Sequence, residues 1–109
     1  NYMKIEFKKR RDLIVNQLSQ IEGIKCNVPD GAFYVFPDIS YFFDKKDENN
    51  SVIKNSNDLS MYLLNDAHVA TVAGAAFGTN ECIRISYATS TKNIIEATQR
   101  IKKSLEKLR

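Results

Sequence analysis

The chain has 109 residues, of which 43% are hydrophobic and 27% charged. That length is enough to bury one core and too short for two, so we expect a single domain spanning residues 1–109. The formal net charge of +3 is small and comes mostly from scattered lysines, which gives no reason to expect a nucleic-acid or membrane partner. No apolar run is long enough to cross a bilayer, and no signal-peptide pattern is present.

The first part of the chain has the pattern of one helix followed by two strands. The apolar residues of 3–21 form one helical stripe: Met3, Phe7, Ile14, Leu18 and Ile21. Gly23 is predicted to end this helix. Strands are predicted at 24–28 and 32–36, and Pro37 is predicted to end the second strand.

The middle of the chain changes composition sharply. Residues 44–57 are almost entirely polar and charged, so we expect a mobile surface excursion that buries too little apolar area to become ordered. Helical spacing resumes over 58–67, with Ser56 or Asn57 as the predicted N-cap. A third strand is predicted at 69–72.

The last part of the chain predicts a small-residue loop at 73–78, a strand over 82–90 and a helix over 91–108 with Ser90 as its N-cap. The predicted order is therefore α-β-β-α-β-β-α. A small mixed or antiparallel sheet with helices packed on one side accounts for this order, which is the two-layer α/β architecture.

Arg84 is the leading candidate for a binding residue. Period-two alternation places Ile83, Ile85 and Tyr87 on one face of the strand and Cys82, Arg84, Ser86 and Ala88 on the other. A guanidinium keeps its charge, so it is costly to hold on a strand between isoleucines unless a carboxylate or phosphate pairs with it. Strand context alone favours anion binding and a structural ion pair about equally.

Other motifs do not predict a catalytic or metal centre. The loop 73–78 lacks the glycine spacing of a nucleotide-binding loop and is followed by a strand, although it could bring backbone close to a ligand or another domain. His68 is the single histidine, so neither a zinc spacing nor a serine triad is supported. Cys26 and Cys82 lack a C-x-x-C spacing, which favours free buried thiols and leaves a disulfide possible.

Four motifs occur in an order and spacing that extend over essentially the whole chain. They are Arg10-Arg11-Asp12, Pro29-Asp30-Gly31-Ala32-Phe33-Tyr34, Val69-Ala70-Thr71-Val72-Ala73-Gly74-Ala75-Ala76-Phe77-Gly78 and Ile83-Arg84-Ile85-Ser86-Tyr87-Ala88-Thr89-Ser90. Together they resemble the C-terminal part of fold-type I pyridoxal-phosphate aminotransferases, particularly the aspartate aminotransferases of subgroup Ib. That family commonly has Pro-Gly-Ser-Ala-Phe-Gly where this chain has residues 73–78, a departure that keeps both glycines and Phe77.

The resemblance implies that Arg84 binds the α-carboxylate of an amino acid or 2-oxo acid in a two-pronged contact. It also implies that residues 1–109 form most of a small domain, which closes over the substrate and over pyridoxal phosphate held by a large domain. The implied parent is a cytoplasmic homodimer that transfers an amino group between aspartate and 2-oxoglutarate.

The family's Schiff-base lysine, its cofactor aspartate and its phosphate-binding residues lie upstream of this segment, and no lysine here matches the lysine motif. The chain also opens at Asn1, inside a helical pattern. We therefore expect a piece of a longer protein that has no catalytic or cofactor-binding residue of its own and is inactive alone.

Two alternatives remain open at this stage. The first is a non-catalytic α/β module that binds an anionic small molecule or a partner protein and regulates it. The second keeps the aminotransferase fold with another specificity, such as prephenate, aromatic or alanine. Side-chain recognition would use residues outside this segment, so the sequence does not separate these specificities.

Overall fold

The structure, a computed structural model, describes the backbone of residues 2–27, 34–86 and 90–109, and their side chains except those of 2–7, 27 and 77. The helices and strands of these residues follow in the predicted order, so that prediction is confirmed. They are α1 (Tyr2–Ser19), β1 (Lys25–Asn27), β2 (Tyr34–Asp38), α2 (Ser56–Tyr62), β3 (Val72–Ala73), β4 (Ile83–Ser86) and α3 (Thr91–Glu106).

The four strands form one antiparallel sheet in the order β1-β2-β4-β3. The Arg84 strand, β4, is therefore an inner strand, with β2 on one side and β3 on the other. Val72 of β3 lies opposite Arg84, and Tyr34 of β2 lies opposite Ser86. The predicted small sheet is confirmed, and its pairing is antiparallel.

Alternating strand residues face the helices and form the core with them. Val35, Ile83 and Ile85 are buried from the sheet side. The helices contribute apolar stripes at helical spacing: Ile14 and Leu18 from α1, Leu59 from α2, and Ile94, Ile101 and Leu105 from α3. This one-sided burial confirms the predicted two-layer α/β architecture.

The prediction that Pro37 ends the second strand is wrong. The strand continues to Asp38, and β2 and β4 keep one register on both sides of the proline. Tyr34 faces Ser86, and further along Asp38 faces Cys82 in an isolated bridge. Proline lacks one ladder donor but its φ suits an extended chain. Pro37 is fully buried, so apolar burial compensates for the interrupted ladder.

Helix ends and the third strand differ modestly from the prediction. Helix α1 ends at Ser19, and Gly23 follows with a left-handed φ of +93°, as a chain reversal requires. The N-cap of α2 is Asn55, whose side chain accepts a hydrogen bond from the Asp58 backbone N–H at 2.9 Å. The predicted caps Ser56 and Asn57 are instead the first and second residues of the helix.

A π-helical turn, Leu63–Ala67, continues α2, so helical structure extends as far as predicted. The third strand begins at Val72 rather than at residue 69. The predicted N-cap of α3 is confirmed, because the Ser90 side chain accepts a hydrogen bond from the Asn93 N–H at 3.2 Å.

The prediction of an unordered excursion over 44–57 is contradicted. Lys46 and Val52 form a β-bridge, and the Asp44 N–H donates to the Ile53 carbonyl at 2.7 Å. Ile53 is 3% exposed and belongs to the core. The backbone of Lys46 also exchanges two hydrogen bonds with that of Arg109, at 2.8 and 3.0 Å. A single buried apolar residue and pairing with distant backbone thus order this polar segment.

Some predictions fall outside the described residues. The turn at 29–31, the first residues of the second predicted strand, and 87–89 at the end of the Arg84 strand belong to this group. Among the described helices, none combines the length and the apolar character that crossing a membrane requires.

Candidate functional site

The sheet face opposite the helices is left open by the described residues. Tyr34 is 36% exposed and Val72 is 37% exposed, while Ser86 is exposed and Arg84 is half-buried. These four side chains belong to three neighbouring strands and share one face by register and alternation. The structure therefore places Arg84 near the middle of a solvent-accessible face that combines aromatic, aliphatic and small polar groups.

Arg84 stacks on an aromatic ring. Its guanidinium carbon lies 4.2 Å from the centroid of the Tyr34 ring, within the range of a cation–π contact. Tyr34 is opposite Ser86, which makes it the diagonal neighbour of Arg84, a separation that aromatic and long side chains span. Such a contact covers the face of the guanidinium, whereas a carboxylate binds the planar edge that carries the N–H donors.

The carboxylate of Asp38 shares this face of the sheet but is used in a local turn. Its Oδ1 accepts hydrogen bonds from the Ser40 N–H at 2.9 Å and from the Ser40 hydroxyl at 2.7 Å. These contacts complete the turn that follows β2. Asp38 thus has a structural role at the strand end.

The loop 73–78 is organised by close backbone approach. Gly74–Phe77 form a 3₁₀ turn. The Gly74 N–H donates to the Cys82 carbonyl at 2.8 Å, and the Thr79 N–H donates to the Gly74 carbonyl at 2.8 Å. A Cβ at Gly74 would lie 1.8 Å from the Thr79 carbonyl oxygen and 2.2 Å from that of Cys82. The sequence analysis allowed this loop to bring backbone close to a ligand or to another domain. The structure shows it packed closely against backbone of its own chain.

Ser56 connects this loop to the start of α2. Its hydroxyl accepts a hydrogen bond from the Ala75 N–H at 3.2 Å and donates to the Asn80 side-chain oxygen at 3.2 Å. Ser56 is fully buried, so its hydroxyl would be costly to leave without a hydrogen-bond partner. The loop before the Arg84 strand is thereby held to the helical layer.

Both cysteines are free thiols. Cys26 lies in β1 and Cys82 lies beside β4, with β2 between them. Strands two apart are separated by roughly 9 to 10 Å, which is too far for a disulfide. Burial raises the pKa of Cys26 to about 11 and also raises the pKa of Cys82, with Asp38 as the next cause. Neither thiol is activated as a nucleophile.

Metal ligation is not supported by the described side chains. Across 8–26, 34–76, 78–86 and 90–109, no three His, Cys, Asp or Glu side chains come together as a metal site. His68 ends the π-helical turn in a left-handed conformation with φ of 57°, and its backbone N–H donates to the Leu63 carbonyl. The histidine therefore terminates a helix.

One acidic cavity of the described residues does not fit a phosphate-bearing pyridine cofactor. A cavity of about 430 Å³ is lined by Asp47, Glu48, Asp58 and Asp66 among others, and these carboxylates repel a phosphate. Lys25 is the one lysine of the described strands, and it lies in β1, separated from Arg84 by β2. We therefore assign no cofactor ligand within the described residues.

Tyr34 is the aromatic neighbour of Arg84 that the sequence analysis did not single out. It belongs to the motif Pro29-Asp30-Gly31-Ala32-Phe33-Tyr34, but its position beside Arg84 follows from the pairing of β2 with β4. The available indication in the sequence was an aromatic residue on the face of a predicted strand opposite the apolar Val35.

Comparison with known proteins identifies the family. Residues 1–101 match the model of aminotransferase class I and II. The aspartate aminotransferase of Rhizobium meliloti strain 1021 is 46% identical over 102 residues, which cover 94% of this chain and 25% of that protein. A Petunia hybrida protein, named bifunctional aspartate aminotransferase and glutamate/aspartate-prephenate aminotransferase, is 46% identical over 99 residues, covering 91% of this chain and 21% of that protein.

The fold agrees with the sequence comparison. The crystal structure of the aspartate aminotransferase from Rhizobium meliloti superposes with a TM-score of 0.92 at 45% identity, covering 95% of this chain and 26% of that one. The chain thus spans about a quarter of the length of the relatives it matches. On this evidence the chain belongs to the aminotransferase class I and II family, whose members are pyridoxal-phosphate-dependent enzymes.

Proposed function

We propose that the protein to which this chain belongs transfers an amino group between aspartate and 2-oxoglutarate, and that residues 1–109 form its C-terminal small domain. The observation that carries the proposal is Arg84, half-buried on an inner strand of the open face with its guanidinium stacked on Tyr34. Following the resemblance, we further propose a homodimer located in the cytoplasm.

In this proposal Arg84 binds the α-carboxylate of the substrate. Its guanidinium stays charged and presents parallel N–H donors, which match the two oxygens of a carboxylate. Bound by the rest of the protein, pyridoxal phosphate would supply the carbonyl group and the electron sink that amino-group transfer needs. The chain contributes orientation of the substrate and, through closure of the small domain, exclusion of water.

Aspartate is the proposed donor because the Rhizobium meliloti relative is named an aspartate aminotransferase and its structure superposes closely on this chain. A second acceptor is supported by the Petunia hybrida relative, whose name includes glutamate/aspartate-prephenate aminotransferase. Prephenate carries a 2-oxo acid group, so the same arginine contact would serve it. Residues outside this segment would decide between the two acceptors.

The test replaces Arg84 in the full-length enzyme and measures steady-state kinetics with aspartate as donor and either 2-oxoglutarate or prephenate as acceptor. For Arg84→Ala we expect the KM for aspartate to rise at least about 100-fold, because a charge-assisted contact worth about 3 kcal/mol is lost. Cofactor absorbance is expected to stay unchanged.

Arg84→Lys is the second variant to compare with Arg84→Ala. It keeps the positive charge but loses the planar pair of donors, so we expect an intermediate KM. An unchanged KM in Arg84→Ala, with a lowered thermal midpoint, would instead indicate a structural ion pair and would overturn the binding role. Activity with neither acceptor in the wild type would overturn the proposed reaction.

A further inference from the structure

The geometry points to Tyr34 as a positioning residue for substrate binding: we propose that its ring holds the Arg84 guanidinium in the plane that receives the substrate carboxylate. This inference rests on the proposed carboxylate-binding role of Arg84. In this proposal a residue of β2 contributes to substrate affinity, a role that neither the sequence motifs nor the family match identifies.

The first support is the contact itself. The Arg84 guanidinium carbon lies 4.2 Å from the Tyr34 ring centroid, which places the positive charge over the negative face of the ring. Both residues lie in paired strands rather than in loops, Tyr34 as the first residue of β2. Tyr34 pairs with Ser86 and Val35 pairs with Ile85, so the register of β2 on β4 sets the separation of the two side chains.

The second support is that stacking and carboxylate binding use different parts of the guanidinium. An aromatic ring covers the face of the group, whereas a carboxylate binds its edge in the same plane as the nitrogens. The two contacts therefore do not compete. A substrate arriving in the plane of the guanidinium would find the ring contact already made.

The third support concerns conformational freedom. Arginine has a long side chain that loses much rotamer freedom when it is held in one conformation. Arg84 is half-buried, and Tyr34 is 36% exposed, so the ring is a support that the arginine meets before the substrate arrives. Arranging the side chain in advance reduces the entropy lost on binding, which strengthens affinity without new substrate contacts.

The experiment compares Tyr34→Leu, Tyr34→Phe and Arg84→Ala in the full-length enzyme, together with the double variant Tyr34→Leu/Arg84→Ala. Tyr34→Leu removes the ring, and we expect the KM for aspartate to rise about two- to five-fold, the range of a partly exposed cation–π contact. We expect kcat to change by less than about twofold, because the carboxylate contact is equal in ground and transition states. Tyr34→Phe keeps the ring and should restore a KM within about twofold of the wild type.

Tyr41→Leu is the matched control. Tyr41 also lies under a cation, with the Lys45 Nζ 4.9 Å from its ring centroid, and is 50% exposed. It belongs to the 3₁₀ turn Ser40–Phe42 after β2 and not to the open face. The same chemical change there is expected to leave the KM for aspartate unaltered, whatever it does to the thermal midpoint.

The outcomes separate the two proposals. In the Arg84→Ala background, Tyr34→Leu should raise KM no further, because the ring acts only through the guanidinium. An Arg84→Ala enzyme with wild-type KM would overturn the binding role of Arg84 and the inference with it. A raised KM in Arg84→Ala combined with a wild-type KM in Tyr34→Leu would overturn the role of Tyr34 alone, as would an additive effect in the double variant.

Discussion

Gly74 shows how a single residue positions the Arg84 strand. It lies where the chain leaves β3, and its N–H and carbonyl both bond to backbone of the segment that leads into β4. Gly78, four residues later, has a left-handed φ of 84° but open space where a Cβ would be. The two glycines of one loop therefore serve different requirements, one of space and one of backbone conformation.

This difference gives a prediction for the two alanine variants. A Cβ at Gly74 would overlap the carbonyl oxygens of Thr79 and Cys82, at 1.8 and 2.2 Å, and backbone atoms do not move away easily. We expect Gly74→Ala to lower the free energy of unfolding by about 3 kcal/mol or more. Gly78→Ala should cost only about 1 kcal/mol, for the left-handed backbone.

Urea denaturation of the full-length protein measures both values. Equal losses in the two variants would contradict the backbone-overlap argument, because strain from φ alone would then account for both. A Gly74→Ala protein with wild-type stability would show that the loop 73–78 relaxes without loss of packing.

Single residues also show how far the sequence predicts the site. Alternation along the strand was sufficient to place Arg84 on the other face of the sheet from the buried Ile83 and Ile85, because strand periodicity is local. The stacking of Tyr34 on Arg84 depends on the register between β2 and β4, which involves residues about fifty positions apart. The sequence does not show which residues of β2 and β4 pair, so it did not identify Tyr34 as the neighbour of Arg84.

At the scale of elements, a polar network joins the π-helical turn after α2 to α3. The Ser104 hydroxyl donates to the Asp66 carboxylate at 2.5 Å, and the Lys107 ammonium donates to it at 3.2 Å. The Tyr62 hydroxyl donates to the Ser104 carbonyl at 2.6 Å. Ser104 is 2% exposed, so the network is partly shielded from water and fixes the position of one helix on the other.

The charge of Asp66 makes this junction sensitive to acid. The hydrogen bond from Ser104, and then Lys107, lowers the pKa of Asp66 below its ordinary value of 3.8. A carboxyl whose pKa is lower in the folded than in the unfolded protein stabilises the fold when the pH is above its unfolded-state pKa. That stabilisation is lost as the pH falls through its folded-state pKa. We expect Asp66→Asn to destabilise the junction by about 1 kcal/mol at neutral pH, and the difference from wild type to shrink towards about pH 3.

Hydrogen exchange of α3 amides, compared between variant and wild type at each pH, measures this effect. Glu48→Gln is the matched control, because Glu48 also faces Lys107, at 4.0 Å, but its side chain is 72% exposed. Its replacement should change protection little at any pH. A difference for Asp66→Asn that is as large at about pH 3 as at neutral pH would contradict the electrostatic account.

Elements also show where composition misled the prediction. The segment 44–57 has few apolar residues, yet Ile53 is buried and the hairpin pairs with the end of the chain. Pro37 was predicted to end a strand because it lacks an N–H, but the strand passes through it in constant register. In both cases tertiary contacts outweighed a local preference, and such contacts are not visible in a short window of sequence.

For the whole molecule, the main property is that the sheet is covered on one side. The helices bury Val35, Ile83 and Ile85, while Tyr34 and Val72 stay more than one-third exposed on the other face. Overall architecture was the most predictable level, since the order of helices and strands and the one-sided apolar pattern together allow few alternatives.

This architecture predicts the behaviour of residues 1–109 produced alone. We expect neither transamination of aspartate nor a cofactor absorbance band, because in our proposal this chain supplies only the carboxylate-binding Arg84 and the rest of the protein holds the cofactor. Circular dichroism would verify that the isolated chain is folded, and the full-length enzyme in the same assay is the positive control. Activity of the isolated chain above the blank would contradict the assignment of catalysis to the rest of the protein.

The double backbone pairing of Lys46 with Arg109 also bears on the order in which the fold can assemble. Besides its bridge to Val52, Lys46 has a second backbone partner beyond α3, so this second pairing cannot form until α3 has packed. Contacts between such distant positions carry a high loop-closure cost and tend to form late. We therefore expect the pairing of Lys46 with Arg109 to be among the last native contacts to form, after the sheet and helices have met.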